Sequence, residues 1–261
     1  MHIPILTYHS IDASGSVISV APQKFREQME FLKRNKFPVV PLSLVAAWMR
    51  GEDKIPDGAV AITFDDGFLN FYESAFPVLQ DCGFPATVFL VAGHCGGRNN
   101  WYGQHTGIPV MDLMGWDRIS ELSRSGVDFG SHTMNHPDLS RCSAAQAADE
   151  IAQSCEMIQK QTAKPPLFFA YPYGVRSEAS ADIVRRAFEG ACSVIMDFAD
   201  LKSDRFFLPR IDMYYFSRND LFFRYGTTAF DYYVRFRAFL RSLRQHPFGK
   251  AGRRARIDDQ P

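Results

Sequence analysis

An α/β fold with a mostly parallel sheet is the class that this 261-residue sequence predicts. Short runs rich in β-branched and aromatic residues alternate with stretches of helical spacing along most of the chain. Several of these runs end in residues able to do chemistry, as happens where the C-termini of parallel strands gather on one face. With 46% apolar and 22% charged residues, the composition is that of a soluble protein with a substantial core. No linker or repeat interrupts the alternation, so one domain is expected.

Residues 3–8 form the first apolar run, which ends in His9 and Ser10. The small polar residues 12–19 read as a loop. Ala21-Pro22 opens a helix over 23–35 with Phe25, Met29 and Leu32 on one face. A short strand at 37–40 and a helix capped by Ser43 and running through Met49 come next, then a charged turn at 51–58. The strand at 60–64 ends in Asp65-Asp66-Gly67. Helical spacing resumes over 69–81, interrupted by Pro77. Residues 86–91 read as a strand. The long irregular loop 93–112, with Trp101, Tyr102 and His105, suggests binding more than simple connection. A helix at 116–125, a strand at 126–130 and the segment Ser131-His132-Thr133-Met134-Asn135-His136-Pro137 follow. Ser143 caps a helix to Gln161. A strand at 167–170 runs into Tyr171-Pro172-Tyr173-Gly174, then a helix at 177–189 and strands at 191–196 and 206–211.

From Ser217 onward the character changes. Residues 221–243 are rich in Phe, Tyr and Arg, with Phe236, Phe239, Leu240 and Leu243 on one helical face and Arg235, Arg237, Arg241 and Arg244 around it. Residues 217–248 read as a helical extension packed on the domain, with peripheral contact to an anionic membrane surface as the other reading. Residues 249–261 read as a disordered tail.

The formal net charge is zero, so nothing points to nucleic acid as a partner. The 23 Phe and 10 Tyr mostly enlarge the core, and some are expected to line a groove. The five cysteines are odd in number and lack a Cys-x-x-Cys pair, so they read as reduced thiols. The N-terminus reads as a strand and not as a signal peptide, and no apolar run is of membrane-spanning length. A cytoplasmic location is therefore the expectation.

Two adjacent carboxylates at a strand end repel each other and are costly to bury unless a cation or a reacting proton is near. His132 and His136, at His-x-x-x-His spacing on one face of a turn, also follow a strand. Two histidines and one aspartate make a divalent-metal set with positions open for water and substrate. One of Asp65 and Asp66 then ligates, while the other stays free to accept a proton. The Tyr171–Gly174 turn could present a backbone N–H to an oxyanion. His9, at a strand end on the same face, is a candidate general acid.

Together, Thr63-Phe64-Asp65-Asp66-Gly67, His132-Thr133-Met134-Asn135-His136 and the Phe169-to-Gly174 turn, in that order, resemble the polysaccharide deacetylases of carbohydrate esterase family four. Leu6-Thr7-Tyr8-His9 resembles the opening motif of the poly-N-acetylglucosamine deacetylase branch. The resemblance covers roughly residues 3–212 and makes 1–216 the catalytic domain. It implies a distorted (β/α) barrel of about seven strands that removes N-acetyl groups from an amino-sugar glycan or its precursor. It further implies one divalent metal ion, zinc or else cobalt, nickel or manganese, on Asp66, His132 and His136. Asp65 matches the catalytic base and Tyr173 the oxyanion-holding residue. The arginine that many members carry before the Pro-Tyr turn is missing here, and Arg210 is the candidate replacement. Hydrolysis of another amide or an O-acetyl ester, and an inactive glycan-binding module, are the alternative functions.

Overall fold

In a computed structural model of the chain, residues 1–245 are described, with side chains through 243. The expected tail at 249–261 lies outside the described residues. Seven parallel strands form the central sheet, curled into a half-barrel with helices around it, in the order β7-β6-β5-β4-β3-β2-β9. These strands are β2 (Ile5–Tyr8), β3 (Ala61–Phe64), β4 (Thr87–Leu90), β5 (Asp128–Ser131), β6 (Phe168–Ala170), β7 (Gly190–Cys192) and β9 (Ile211–Asp212). Every residue of β2, β3 and β4 is buried, which explains why these segments read as continuous apolar runs instead of alternating ones. A separate antiparallel pair, β1 (His2–Ile3) with β8 (Ala199–Asp200), is too short to leave a sequence pattern.

The expected strand at 206–211 is only partly one. Residues 205–210 run along β7, with Leu208 N donating to Ala191 O at 2.8 Å and Ser193 N donating to Leu208 O at 2.8 Å. The chain then crosses into β9, whose Ile211 pairs with Leu6 of β2. This segment therefore bridges the two edges of the sheet and carries Arg210 into the barrel. The expected strand at 37–40 shrinks to one bridge between Val39 and Val60, because Pro38 and Pro41 have no N–H to extend a ladder.

The outer helices are α1 (Pro22–Arg34), α2 (Leu42–Met49), α3 (Phe76–Cys82), α4 (Trp116–Arg124), α5 (Ala144–Thr162), α6 (Glu178–Ala187) and α7 (Thr228–Gln245). Phe25, Met29 and Leu32 of α1 are buried, as the spacing predicts. Ser43 does not cap α2, whose first residue is Leu42 and whose N-cap position is Pro41, two residues earlier than expected. The expected 69–81 helix is split. A π-helical segment, Phe71–Ala75, precedes α3, and Pro77 falls in the first turn of α3, where its missing N–H costs little. Ser143 caps α5, its side chain accepting from Gln146 N while the Gln146 side chain accepts from Ser143 N. Ser143→Ala is expected to cost about 1 kcal/mol. That corresponds to a fall of roughly 2–4 °C in Tm, read by thermal unfolding; an unchanged Tm would show that the cap adds nothing.

Helix α7 packs on the domain through Phe230 and Val234, both buried, with Phe230 near Phe216, Phe222 and Tyr225. The apolar face singled out in the sequence is not the docking face: Phe236, Phe239 and Leu243 are 45%, 58% and 52% exposed. Phe230 and Val234, four apart on the opposite side of the helix, are buried against the domain, which leaves Phe236 and Phe239 facing outward. The five cysteines are free thiols. No described helix is long and apolar enough to cross a membrane.

Candidate active site

The chain leaves β3 through a reversal of backbone handedness. Asp65 N donates to Tyr8 O at 2.9 Å, continuing the ladder, but Asp66 has φ 71° and Gly67 φ 76°. A Cβ on Gly67 would meet Leu90 Cδ2 at 2.7 Å, so the position requires glycine. The left-handed Asp66 sends its carboxylate away from that of Asp65. Two adjacent acids thereby face different partners.

Asp65 faces Arg210. The guanidinium holds it in a fork, Nη1 to Oδ1 at 2.7 Å and Nη2 to Oδ2 at 2.7 Å. Arg210 Nε donates to Ser193 O at 2.9 Å and Nη1 to Thr63 Oγ1 at 3.3 Å, which fixes the plane of the fork. Both residues are almost fully buried. Burial pushes the Asp65 carboxyl up, but the Arg210 charge and its hydrogen bonds outweigh that and hold it well below the usual carboxylate range. On the open side, His9 Nε2 stands 3.8 Å from Asp65 Oδ2, with its side chain about a quarter exposed.

Asp66 faces the two histidines. His132 Nε2 and His136 Nε2 lie 3.5 and 3.6 Å from Asp66 Oδ1, and one ligand atom of each residue falls within 4.8 Å of the others. Helical spacing does not produce this convergence, contrary to the one-turn expectation. The segment after β5 is irregular, with Thr133 at φ 69° and His136 at φ 58°. Two contacts stabilise that backbone. Thr133 Oγ1 accepts from His136 N at 2.9 Å, and Glu150 of α5 accepts from Met134 N at 3.0 Å, Asn135 N at 2.8 Å and Asn135 Nδ2 at 2.7 Å. Asp66, Thr133, His136 and Tyr173 are four of the six non-glycine residues with positive φ among the described residues, so backbone strain concentrates at this site.

The donor set fits a divalent cation. His132 Nδ1 is 2.7 Å from Ala170 O; donation there leaves Nε2 with a free lone pair toward Asp66. Burial pushes the Asp66 carboxyl up, as for a buried acid lacking a countercharge, and pushes His136 well down, which keeps its imidazole neutral as a ligand must be. His136 Nδ1 has no hydrogen-bond partner among the described residues. Its ring is instead held between Trp101 and Tyr173, at centroid distances of 4.5 and 4.6 Å.

Tyr173 follows β6 with φ 57°, and the residue is 42% exposed. The next residue, Gly174, could not carry a Cβ, which would lie 2.2 Å from Val194 Cγ2. All seven residues singled out in the sequence, Asp65, Asp66, His9, His132, His136, Tyr173 and Arg210, follow strands or the closing segment at one end of the barrel. Two supports were not legible. Glu150 is an ordinary acid on a helix, and Thr133 offers no signal beyond its place between the histidines. Trp101 stood out only as part of an irregular loop.

The strand ends of this barrel thus carry an Asp-His-His group with the spacing of a metal-ligand set beside a separate, arginine-held aspartate. The chain belongs to the polysaccharide deacetylase family, whose sequence profile matches residues 52–187. It is 27% identical over 176 residues to the Bacillus subtilis protein named "Putative polysaccharide deacetylase YxkH". That match covers 67% of this chain and 58% of YxkH. It is 25% identical over 203 residues to a Staphylococcus aureus poly-beta-1,6-N-acetyl-D-glucosamine N-deacetylase, covering 74% of this chain and 67% of that protein. The Streptococcus pyogenes deacetylase PplD shares the fold, with TM-score 0.71 at 24% identity over 81% of this chain and 92% of that one. IcaB from Ammonifex degensii does so too, with TM-score 0.65 at 23% identity over 80% and 91%.

Proposed function

We propose that this chain is a metal-dependent N-deacetylase acting on an amino-sugar polysaccharide or its precursor. The observation that carries this reading is the division of labour between neighbours: Asp66 joins His132 and His136, while Asp65 is held apart by Arg210 and faces His9. A divalent ion on Asp66, His132 and His136, zinc by preference and cobalt, nickel or manganese otherwise, would supply Lewis acidity toward the acetamide carbonyl and the attacking water. Asp65 takes the proton of that water, and Arg210 keeps its carboxylate ionised and aligned. The Tyr173 backbone N–H donates to the oxygen that gains charge as the carbonyl is attacked. His9 gives a proton to the sugar nitrogen as the acetyl group departs as acetate.

The test is acetate release from oligomers of poly-β-1,6-N-acetylglucosamine and from other acetylated glycans, with and without chelator. Release that is abolished by chelator and restored by zinc supports the reading; release indifferent to chelator overturns the metal role. His132→Ala is expected to lose both bound metal, by elemental analysis, and activity. Full metal occupancy in that variant would remove His132 from the ligand set. His9→Ala is expected to lower amide turnover about a hundredfold and that of an O-acetyl ester less, because an alkoxide-type leaving group needs less protonation than an amine. Equal losses on both substrates would remove His9 as the leaving-group acid.

The similarity to the staphylococcal poly-N-acetylglucosamine deacetylase supports a β-1,6-linked amino-sugar polymer as substrate class. The outward face of α7 supports peripheral contact with an anionic membrane surface. Tyr232, Phe236, Phe239 and Leu243 are exposed there, with Arg224 and Arg235 exposed on the same extension. The full chain is expected to co-sediment with vesicles containing phosphatidylglycerol, and a Phe236→Ser, Phe239→Ser variant to stay in the supernatant. Equal partition of the two would remove the membrane contact.

A further inference from the structure

Two arginines of α7, Arg237 and Arg241, reach the candidate active site. A half-open cleft of about 520 Å³ lies on the His9 side of Asp65. Three guanidinium groups line it, those of Arg210, Arg237 and Arg241, against two carboxylates, Asp65 and Asp212. Arg210 is committed to Asp65 through its two-bond fork. Asp212 is divided, with Oδ1 accepting from Tyr214 N at 3.1 Å and Oδ2 3.5 Å from Arg241 Nη1. Arg237 forms no ion pair among the described residues, and its Nε is buried without a hydrogen-bond partner there.

Arg237 is nonetheless held in place. Its guanidinium lies 4.0 Å from the ring centroid of Tyr215, with Arg241 over the same ring at 5.7 Å. Residues 237 and 241 are four apart on one helix and so share a face. Tyr233, one turn earlier, anchors Tyr215 by donating from its hydroxyl to Tyr215 O at 3.0 Å. A cation stacked on a ring, close to a second cation and left with unmatched charge in a cleft, is arranged to receive an anion. A planar guanidinium is suited to the paired oxygens of phosphate or carboxylate.

We infer that the cleft beside Asp65 is a subsite for an anionic substituent of the glycan, a phosphate or a carboxylate, bound by Arg237 and Arg241 of α7. The ligand class rests on the glycan reading above; the placement of the arginines does not. The C-terminal extension then selects among acetylated glycans, with the acidic group seated on the side of Asp65 away from the three candidate metal ligands.

The test uses the full chain and three N-acetylated probes: neutral di-N-acetylchitobiose, N-acetylglucosamine 6-phosphate and a hyaluronan tetrasaccharide, which bears carboxylates. Calorimetric binding is expected to favour one or both anionic probes over the neutral one by about tenfold or more at low salt, the scale of one hydrogen bond to a charged group. The gap is expected to narrow at high salt. The phosphate and tetrasaccharide arms tell the two anions apart. In the Arg237→Gln, Arg241→Gln variant, checked for folding by its unfolding curve, the preference is expected to collapse toward one. Arg241→Gln alone is expected to reduce it in part, and it leaves the Arg237 stack on Tyr215 in place should the double variant fold poorly. Equal affinity of the native chain for neutral and anionic probes, or an unreduced preference in the variants, overturns the subsite. An anion preference in a chain that releases acetate from no glycan keeps the subsite and defeats the deacetylase reading. Equal binding together with acetate release does the reverse.

Discussion

Asp65→Asn is expected to retain its divalent metal and to release acetate roughly a thousandfold more slowly than the native chain, within the range for loss of a general base. The change is nearly isosteric. It leaves Asp66, His132 and His136 intact, so metal content by elemental analysis should be unchanged. What disappears is the carboxylate that Arg210 holds apart from that group, 3.8 Å from His9. The substitution also leaves the buried Arg210 without its countercharge, so some stability is lost. Turnover must therefore be measured well below the unfolding temperature of the variant and per mole of bound metal. An Asn variant within tenfold of native turnover would place the base elsewhere. A variant that loses metal and turnover together would instead make Asp65 part of the ligand set.

Arg210→Met is expected to produce the largest loss of stability of any single change at the site, about 3–5 kcal/mol, the usual cost of stranding one partner of a buried ion pair. Asp65 is almost fully buried, and both of its oxygens depend on this guanidinium. Arg210 also links Asp65 to Ser193 O and Thr63, so its removal loosens the closure of the barrel as well as the base. Lysine cannot form the fork, so Arg210→Lys should recover part of the stability and little of the turnover. The decisive measurement is a double-mutant cycle. With Asp65→Asn in the background, Arg210→Met strands no charge and should cost far less than it does alone. Additive costs would show that the pair is not the coupled unit its geometry describes.

His132, His136 and the acid pair were legible because short motifs hold each set of residues close in the chain, and each set follows an apolar run. Arg210 was legible only as a candidate. It lies 145 residues from Asp65, and nothing local to Leu208-Pro209-Arg210 says which way the side chain turns. Its orientation follows from residues 205–210 running along β7 before entering β9, a path set by pairing across the sheet. The α7 face was misjudged for a related reason. Phe236, Phe239, Leu240 and Leu243 form a good apolar stripe, but Phe230 and Val234 are the residues buried against the domain, and Phe236, Phe239 and Leu243 stay exposed with Leu240 half-buried.

Taken alone, the sequence determined the parallel α/β class, most of the strand and helix order, and the identities of Asp65, Asp66, His132 and His136, because apolar periodicity and adjacent motifs are local properties of a chain. The tertiary structure decided how the two acids divide. It turned Asp66 toward the histidines through a left-handed backbone and set Arg210 against Asp65. It also supported the histidine loop with Glu150 and brought Arg237 and Arg241 to the cleft. Each of these depends on contacts between segments distant in the chain, formed only when the sheet curls and its edges meet.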